Sequence, residues 1–299
     1  MKAICYSLFG ADRERYNGCF SFESYLTSLM LCVRFNRLVY PEWQTVLQTD
    51  KSTFDAFEGF FNYLTNRDII RIEINPDNAE LCRAMLWRLK PVFYHSDDGF
   101  DYTHVICRDL DSLSTYREAQ AVQMWMNNNK AVHAITDSTS HNIPLLGGMI
   151  GFVPSAFRDI TDIKDWDQLM HKCNIDLSVK GSDQKFLNQV VYPYFSKPGE
   201  DTITQHYFKG MGQTWLSDFH TCDCWLHSWG VGHKDGCPED VEIPVSQNLK
   251  ETNEISEHMG AAGFNHQQTM GLIKKYENLF EDLLLAEQGF PNIFFWVRK

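Results

Sequence analysis

Asp109 and Asp111 stand one residue apart, directly after the apolar run Tyr102 to Cys107 (YTHVIC). Two carboxylates on a chain leaving a buried strand can both turn toward one divalent cation. Mg²⁺ or Mn²⁺ prefers such oxygen ligands and keeps positions open for the phosphate oxygens of a second ligand. A cation held there offsets the charge that grows on a departing phosphate group. The spacing alone is a weak signal, since any acidic loop supplies it by chance. Its position at a strand end carries more weight, because open α/β sheets bind ligands beyond the carboxyl ends of their strands.

Other residues could serve the same crevice. Arg83 and Arg88 fall five apart on one helical segment, not on a single stripe, so one of them faces the crevice. A guanidinium there suits phosphate oxygens or hydroxyls; the duller reading of helical Arg83, Arg88 and Arg117 is solvated surface charge. Arg108 either contacts a ligand or pairs with its neighbouring carboxylates. Gly147-Gly148 is either a tight turn or a place where backbone must approach a ligand closely. Asp183 and Gln184 open another helical segment, where Asp183 or Ser182 could act simply as a cap. A separate cluster, Cys222, Cys224, His227, His233 and Cys237, has zinc-ligand chemistry but not the usual knuckle spacing. Its alternative is a loop whose Trp225 and Trp229 line a groove.

The elements that must position these groups alternate. Residues 2–9 read as a buried first strand closed by Gly10, and a helix spans about Phe20 to Phe35. Trp43 to Gln48 and Asp68 to Ile74 are further strands, followed by a helix from Asn78, a candidate N-cap, to Phe93. After the strand ending at Cys107, Ser114 opens a helix to about Asn127 with Glu118 in a capping position. Ala131 to Thr136 is one more strand. Trp87 and Trp125 read as core. This order predicts an α/β fold with a mostly parallel, Rossmann-like sheet flanked by helices. A domain over 1–195 is expected, with a C-terminal extension over 196–299 that carries the Cys/His cluster and closes on a helix from about Thr269 to Gln288.

Composition narrows the function classes. The chain has 299 residues and is 43% hydrophobic, enough to bury a sizeable core. Its net charge of −12 repels nucleic acid and anionic membrane. Nine scattered cysteines, an odd number with several inside apolar runs, read as reduced cysteine in a cytoplasmic protein. The N-terminal run reads as a strand, not a signal peptide, and no stretch approaches the ~20 apolar residues of a membrane span.

Four ordered motifs add a resemblance. Arg108-Asp109-Leu110-Asp111-Ser112 with Arg117-Glu118, Met85-Leu86-Trp87-Arg88, Pro144 to Met149 (PLLGGM) and Asp183-Gln184-x-Phe186-Leu187 with Tyr192-Pro193 are all in sequence. Together they resemble the signature of a group of bacterial and viral glycosyltransferase-like proteins with the GT-A nucleotide-diphospho-sugar transferase fold, over residues 3 to 195. The resemblance implies that Asp109 and Asp111 bind Mn²⁺ or Mg²⁺ and through it the diphosphate of a UDP- or GDP-sugar. It places Arg83, Arg88, Arg108, Asp137, His141, Gly147, Gly148 and Gln184 around donor and substrate. Asp183 becomes the catalytic carboxylate, as general base or as a sugar-binding group. A late histidine would complete the metal shell, with His206 preferred over His220, His227, His233 and His258. The family's Met-Arg-Asp-His-Pro-x-His run appears here as Ile135 to His141 (ITDSTSH): Asp137 and His141 keep their places, while Thr136, Ser138 and Thr139 depart from it.

The activity implied is transfer of a sugar from a nucleoside-diphosphate sugar to a hydroxyl of a glycan or similar acceptor, with no nucleic acid and no membrane span involved. The departure at 135–141 keeps open a catalytically weakened glycan- or nucleotide-binding protein. A metal-dependent nucleotidyltransferase or phosphohydrolase would use the same carboxylate pair.

Overall fold

The computed structural model describes residues 1–11, 22–66, 70–95, 100–110, 114, 116–136 and 143–207. Among these residues seven strands form one sheet in the order β3-β2-β1-β4-β6-β5-β7. They are β1 (Lys2–Ser7), β2 (Trp43–Asp50), β3 (Arg71–Asn75), β4 (His104–Cys107), β5 (Val132–Thr136), β6 (Ile150–Phe152) and β7 (Ile203–Tyr207). β1, β2, β3 and β4 run parallel to one another, β5 pairs β7 in parallel, and β6 is antiparallel to both β4 and β5. The expected mostly parallel α/β sheet is therefore present.

The apolar runs became the central strands because both faces of a helix-covered parallel sheet are buried. Ala3, Ile4, Cys5 and Tyr6 of β1 are fully buried, and Val105, Ile106 and Cys107 of β4 nearly so. Helices α1 (Phe22–Val39), α2 (Lys51–Ala56) and α3 (Glu58–Thr65) lie in the first half. α5 (Tyr116–Asn128) packs Trp125 over Gly151, where an added Cβ would meet Ile106 Cγ2 at 2.9 Å and the indole at 3.0 Å. The second half carries α6 (Pro154–Thr161), α7 (Trp166–His171), α8 (Ser182–Phe186) and α9 (Tyr192–Phe195).

Several boundaries differ from expectation. The helix read from Asn78 begins later, as α4 (Leu81–Leu86), after Glu80. Asn78 is not its cap: it sits at φ 63°, a left-handed conformation that Asn tolerates. From Trp87 to Phe93 the chain tightens into a 3-10 helix containing Pro91, which has no N–H for an α-helical bond. β6 was not expected; three residues, one of them glycine, are too few to show a period. β7 takes the sheet beyond residue 195, so the sheet domain extends at least to Tyr207. The Cys222–Cys237 cluster, the late histidines after His206 and the helix expected over 269–288 lie outside the described residues. Among those described, Cys5, Cys32, Cys82 and Cys107 are buried free thiols, and no helix is long and apolar enough to cross a membrane.

Candidate functional site

The strand order turns at β1. β2 and β3 follow on one side and β4 on the other, so the carboxyl ends of β1 and β4 flank the topological switch point where such sheets form a crevice. Asp109 leaves the sheet there, two residues past β4, and its side chain is 43% exposed. Arg88 reaches the same place from the 3-10 helix after α4. Its backbone N–H donates to Ser7 Oγ at the end of β1 (3.1 Å), and its carbonyl accepts from Cys107 Sγ (3.5 Å). Those two bonds aim the side chain across the crevice, where its guanidinium pairs with Asp109 and lies 4.0 Å from Asp183. Burial alone would lower the pKa of Arg88, but Asp109, Cys107 and Asp183 outweigh it and raise it. The cation is permanent. The same burial pushes the Cys107 thiol up to about 12, so it stays neutral beside the pair.

The Gly147-Gly148 segment closes the crevice. An added Cβ on Gly148 would land on the Asp109 carboxylate, 2.6 Å from its Cγ; one on Gly147 would land on the Arg88 guanidinium and 2.8 Å from Gln184 Nε2. Neither glycine has a positive φ, so close approach, not backbone freedom, is what requires them. The segment is bolted to α8 and the π-helical turn after it. Gly147 N–H donates to Gln184 Oε1 (3.1 Å), while Asn188 exchanges bonds with the N–H and carbonyl of Leu145 (2.9 and 2.8 Å).

Asp183 is 1% exposed and accepts from Gln184 Nε2 at 3.3 Å. It does not cap α8: Gly181 holds the N-cap position at φ 81°, with no side-chain cap bond, as does no hydroxyl of Ser182. Arg88, Asp109, Gly147, Gly148, Asp183 and Gln184 thus come together at one place.

Three expected residues do not join them. Arg83 lies on the outer face of α4, 40% exposed, and pairs with Glu80 at 2.7 Å. Arg108 points to the other face of the sheet. It is 2% exposed, forms a 2.7 Å ion pair with Glu118 of α5, and donates to the Gly148 carbonyl at 3.1 Å. Burial opposes its charge, yet Glu118 and its other neighbours hold its pKa above the usual value. Glu118, expected to cap its helix, instead neutralises Arg108. His206 sits on β7, the last strand of the sheet among the described residues, three strands from β4, roughly 14 Å away at ordinary strand spacing. Its ring is fully buried and packs edge-on against His133 at 5.2 Å, while His133 stacks on Trp125. Asp111, Asp137 and His141 lie outside the described residues.

Burial lowers the pKa of His206 to about 4 and holds that of His133 well below the ordinary histidine value. Both are therefore neutral in the fold and protonate first in the unfolded chain. Stability is complete above the unfolded histidine pKa of about 6.5 and falls as pH drops from there toward 4. Denaturant melts at pH 7.5, 6 and 5 should show this loss, and His206→Phe should flatten it.

Oxygen donors at a strand end suit a hard cation; on its Gly148 side the Asp109 carboxylate meets backbone, and its side chain is 43% exposed. Among the described residues no three His, Cys, Asp or Glu side chains cluster as a metal site. Sequence reasoning did not single out Ser7 or Asn188. It also passed over the buried polar group at the carboxyl ends of β2 and β3, where Asn75 Nδ2 donates to Gln48 Oε1 (3.0 Å) and Lys90 pairs with Asn75. Asp50, in the same row, accepts from Gly10 N–H at 3.0 Å. A polar triplet, Gln48-Thr49-Asp50, ending an apolar strand was the available signal.

No family model matches the chain, and no curated protein matches it significantly. Among solved structures it is similar to residues 1–349 of TarS from S. aureus, at 13% identity and TM-score 0.40, over 69% of this chain and 58% of that one. It is also similar to 4-diphosphocytidyl-2C-methyl-D-erythritol synthase from Anaerococcus prevotii DSM 20548, at 9% identity and TM-score 0.36, over 73% of this chain and 92% of that one. Both likenesses are distant, and the fold is defined by the chain's own strand order and register.

Proposed function

We propose that the chain is a glycosyltransferase that binds a nucleoside-diphosphate sugar, UDP- or GDP-linked, in the crevice between β1 and β4 and passes the sugar to an acceptor hydroxyl. The observation that carries this reading is the contact of the Gly148 backbone with the Asp109 carboxylate at the switch point, with Arg88 on the same carboxylate. Backbone pressed that close leaves a shallow, side-chain-free wall beside a charged pair, which suits a diphosphate and the sugar attached to it. The four ordered motifs noted above supply the rest of the support, since each of them brings at least one residue to this crevice.

In this reading Asp109, with Asp111 from the sequence motif, holds Mn²⁺ or Mg²⁺. The cation would neutralise charge on the leaving nucleoside diphosphate. Arg88 presents a fixed positive charge to phosphate or sugar oxygens. Asp183 lies behind Arg88, not in the open crevice, which suits a carboxylate that holds Arg88 in place; serving as general base requires the acceptor hydroxyl to displace Gln184 from it. Arg83, Arg108 and His206 have no part in donor contact.

Thermal-shift measurements with UDP, GDP, CMP and their sugars, with and without Mn²⁺, test the reading on wild type and Asp111→Ala. A ligand at about 100 times its Kd stabilises by about 2.7 kcal/mol, a shift of several degrees. One nucleotide should shift the melt only with Mn²⁺ and not in the variant, with slow release of the nucleoside diphosphate from its sugar. No shift from any nucleotide, in folded protein, overturns the proposal. Pyrophosphate release from a nucleoside triphosphate would replace it with nucleotidyl transfer.

A further inference from the structure

Arg88 stands between two carboxylates and fully serves one. Its Nη1 donates to Asp109 and, at 3.4 Å, to the Arg108 carbonyl. Its Nη2 stops 4.0 Å from Asp183 and has no hydrogen-bond partner among the described residues, although the side chain is 4% exposed. A buried, charged N–H without an acceptor is costly, and the nearest anionic acceptor is one side-chain adjustment away. The backbone of Arg88 is pinned through Ser7 and Cys107, so the guanidinium can turn only about its own side-chain bonds. Closing the gap from 4.0 Å to a hydrogen bond takes about 1 Å of movement.

We propose that Arg88 and a divalent cation are alternatives at the Asp109 carboxylate, and that cation binding transfers Arg88 to Asp183. The inference rests on the reading of Asp109 as a cation ligand. Arg88 and the cation are both positive and both seek the same oxygens, so each lowers the other's occupancy there. Asp183 resolves the competition by offering the displaced guanidinium a buried partner that touches neither the cation nor Asp109. Asp183 is thus a positioning residue whose charge favours cation loading only through Arg88.

The test is a double-mutant cycle read by Mn²⁺ binding, with the electron paramagnetic resonance signal of free Mn²⁺ as the probe and the full chain throughout. Asp183→Asn should weaken Mn²⁺ binding about tenfold, because Arg88 loses its second partner and stays on Asp109. Arg88→Met should bind Mn²⁺ at least as tightly as wild type. In the Arg88→Met background, adding Asp183→Asn should change the affinity by less than about twofold. An equal effect of Asp183→Asn in both backgrounds overturns the proposal, because Asp183 would then act by its charge alone or as a ligand. No effect of Asp183→Asn in either background overturns it too. If Arg88→Met fails to fold, Arg88→Lys completes the cycle: it keeps the charge, lacks the two-armed fork, and should cut the Asp183→Asn effect to about threefold or less. A nucleotide shift that still needs Mn²⁺, without this coupling, removes the inference and leaves the proposed function standing. Wild type that binds no Mn²⁺ removes both.

Discussion

Glu118→Ala is expected to cost the fold about 3–5 kcal/mol, the range for removing one partner of a buried ion pair. Arg108 is 2% exposed and Glu118 as little, so water cannot replace the lost carboxylate. The guanidinium keeps its charge at any accessible pH, and truncation therefore leaves a buried cation beneath α5 without its Glu118 carboxylate. For a domain of this size the loss amounts to roughly 10 °C in Tm. Arg108→Met combined with Glu118→Leu should recover most of it, because two apolar side chains of similar volume need no compensation. The pair also braces the crevice: Arg108 Nη1 donates to the Gly148 carbonyl at 3.1 Å, which links α5 to the turn beside Asp109. Glu118→Ala should therefore weaken nucleotide binding even below its melting temperature. A loss under about 1 kcal/mol in chemical denaturation would mean that Arg108 reaches solvent, and would remove this brace from the account.

The two arginines show where sequence reading succeeded and where it stopped. The strands read at 2–9, 43–48, 102–107 and 131–136 match β1, β2, β4 and β5 to within a few residues, because strands buried on both faces are largely apolar stretches. The position of Asp109 at a strand end followed directly. Which arginine enters the crevice was less plain, although the signal existed. Side chains alternate across a strand, so Cys107 and Asp109 share one face and Arg108 takes the other. Arg88 contacts both Cys107 and Asp109, whereas Arg108 turns to Glu118. Applied one residue past the strand, the same period would have removed Arg108 from the donor set. His206 was beyond such reasoning. Its distance from Asp109 depends on β6 entering antiparallel between β4 and β5, and a three-residue strand leaves no periodic trace. The late start of α4 has a local cause in the left-handed Asn78, which reads equally well as a cap.

Gly148→Ala should reduce turnover about 100-fold or more while leaving the fold nearly intact. The added methyl would occupy the space of the Asp109 carboxylate and come within 3.2 Å of the Asp109 backbone nitrogen. Asp109 must then swing away, and its side chain, 43% exposed, has solvent to enter, so the cost in stability stays at about 1 kcal/mol. A displacement of about 1 Å in a group that positions the reacting centre is enough for a loss of that size in rate. Gly181→Ala is the matched control. Nothing lies within 4 Å of its added Cβ, but its φ of 81° strains any other residue, so stability should fall by about 1 kcal/mol with turnover unchanged. The contrast separates the two uses of glycine, one for conformation and one for approach. Turnover near the wild-type level in Gly148→Ala, with the same Mn²⁺ affinity, would show that Asp109 stands outside the reacting centre. The ligand would then have to bind at the carboxyl ends of β2 and β3, through the polar row at Gln48, Asp50 and Asn75, instead of in the crevice between β1 and β4.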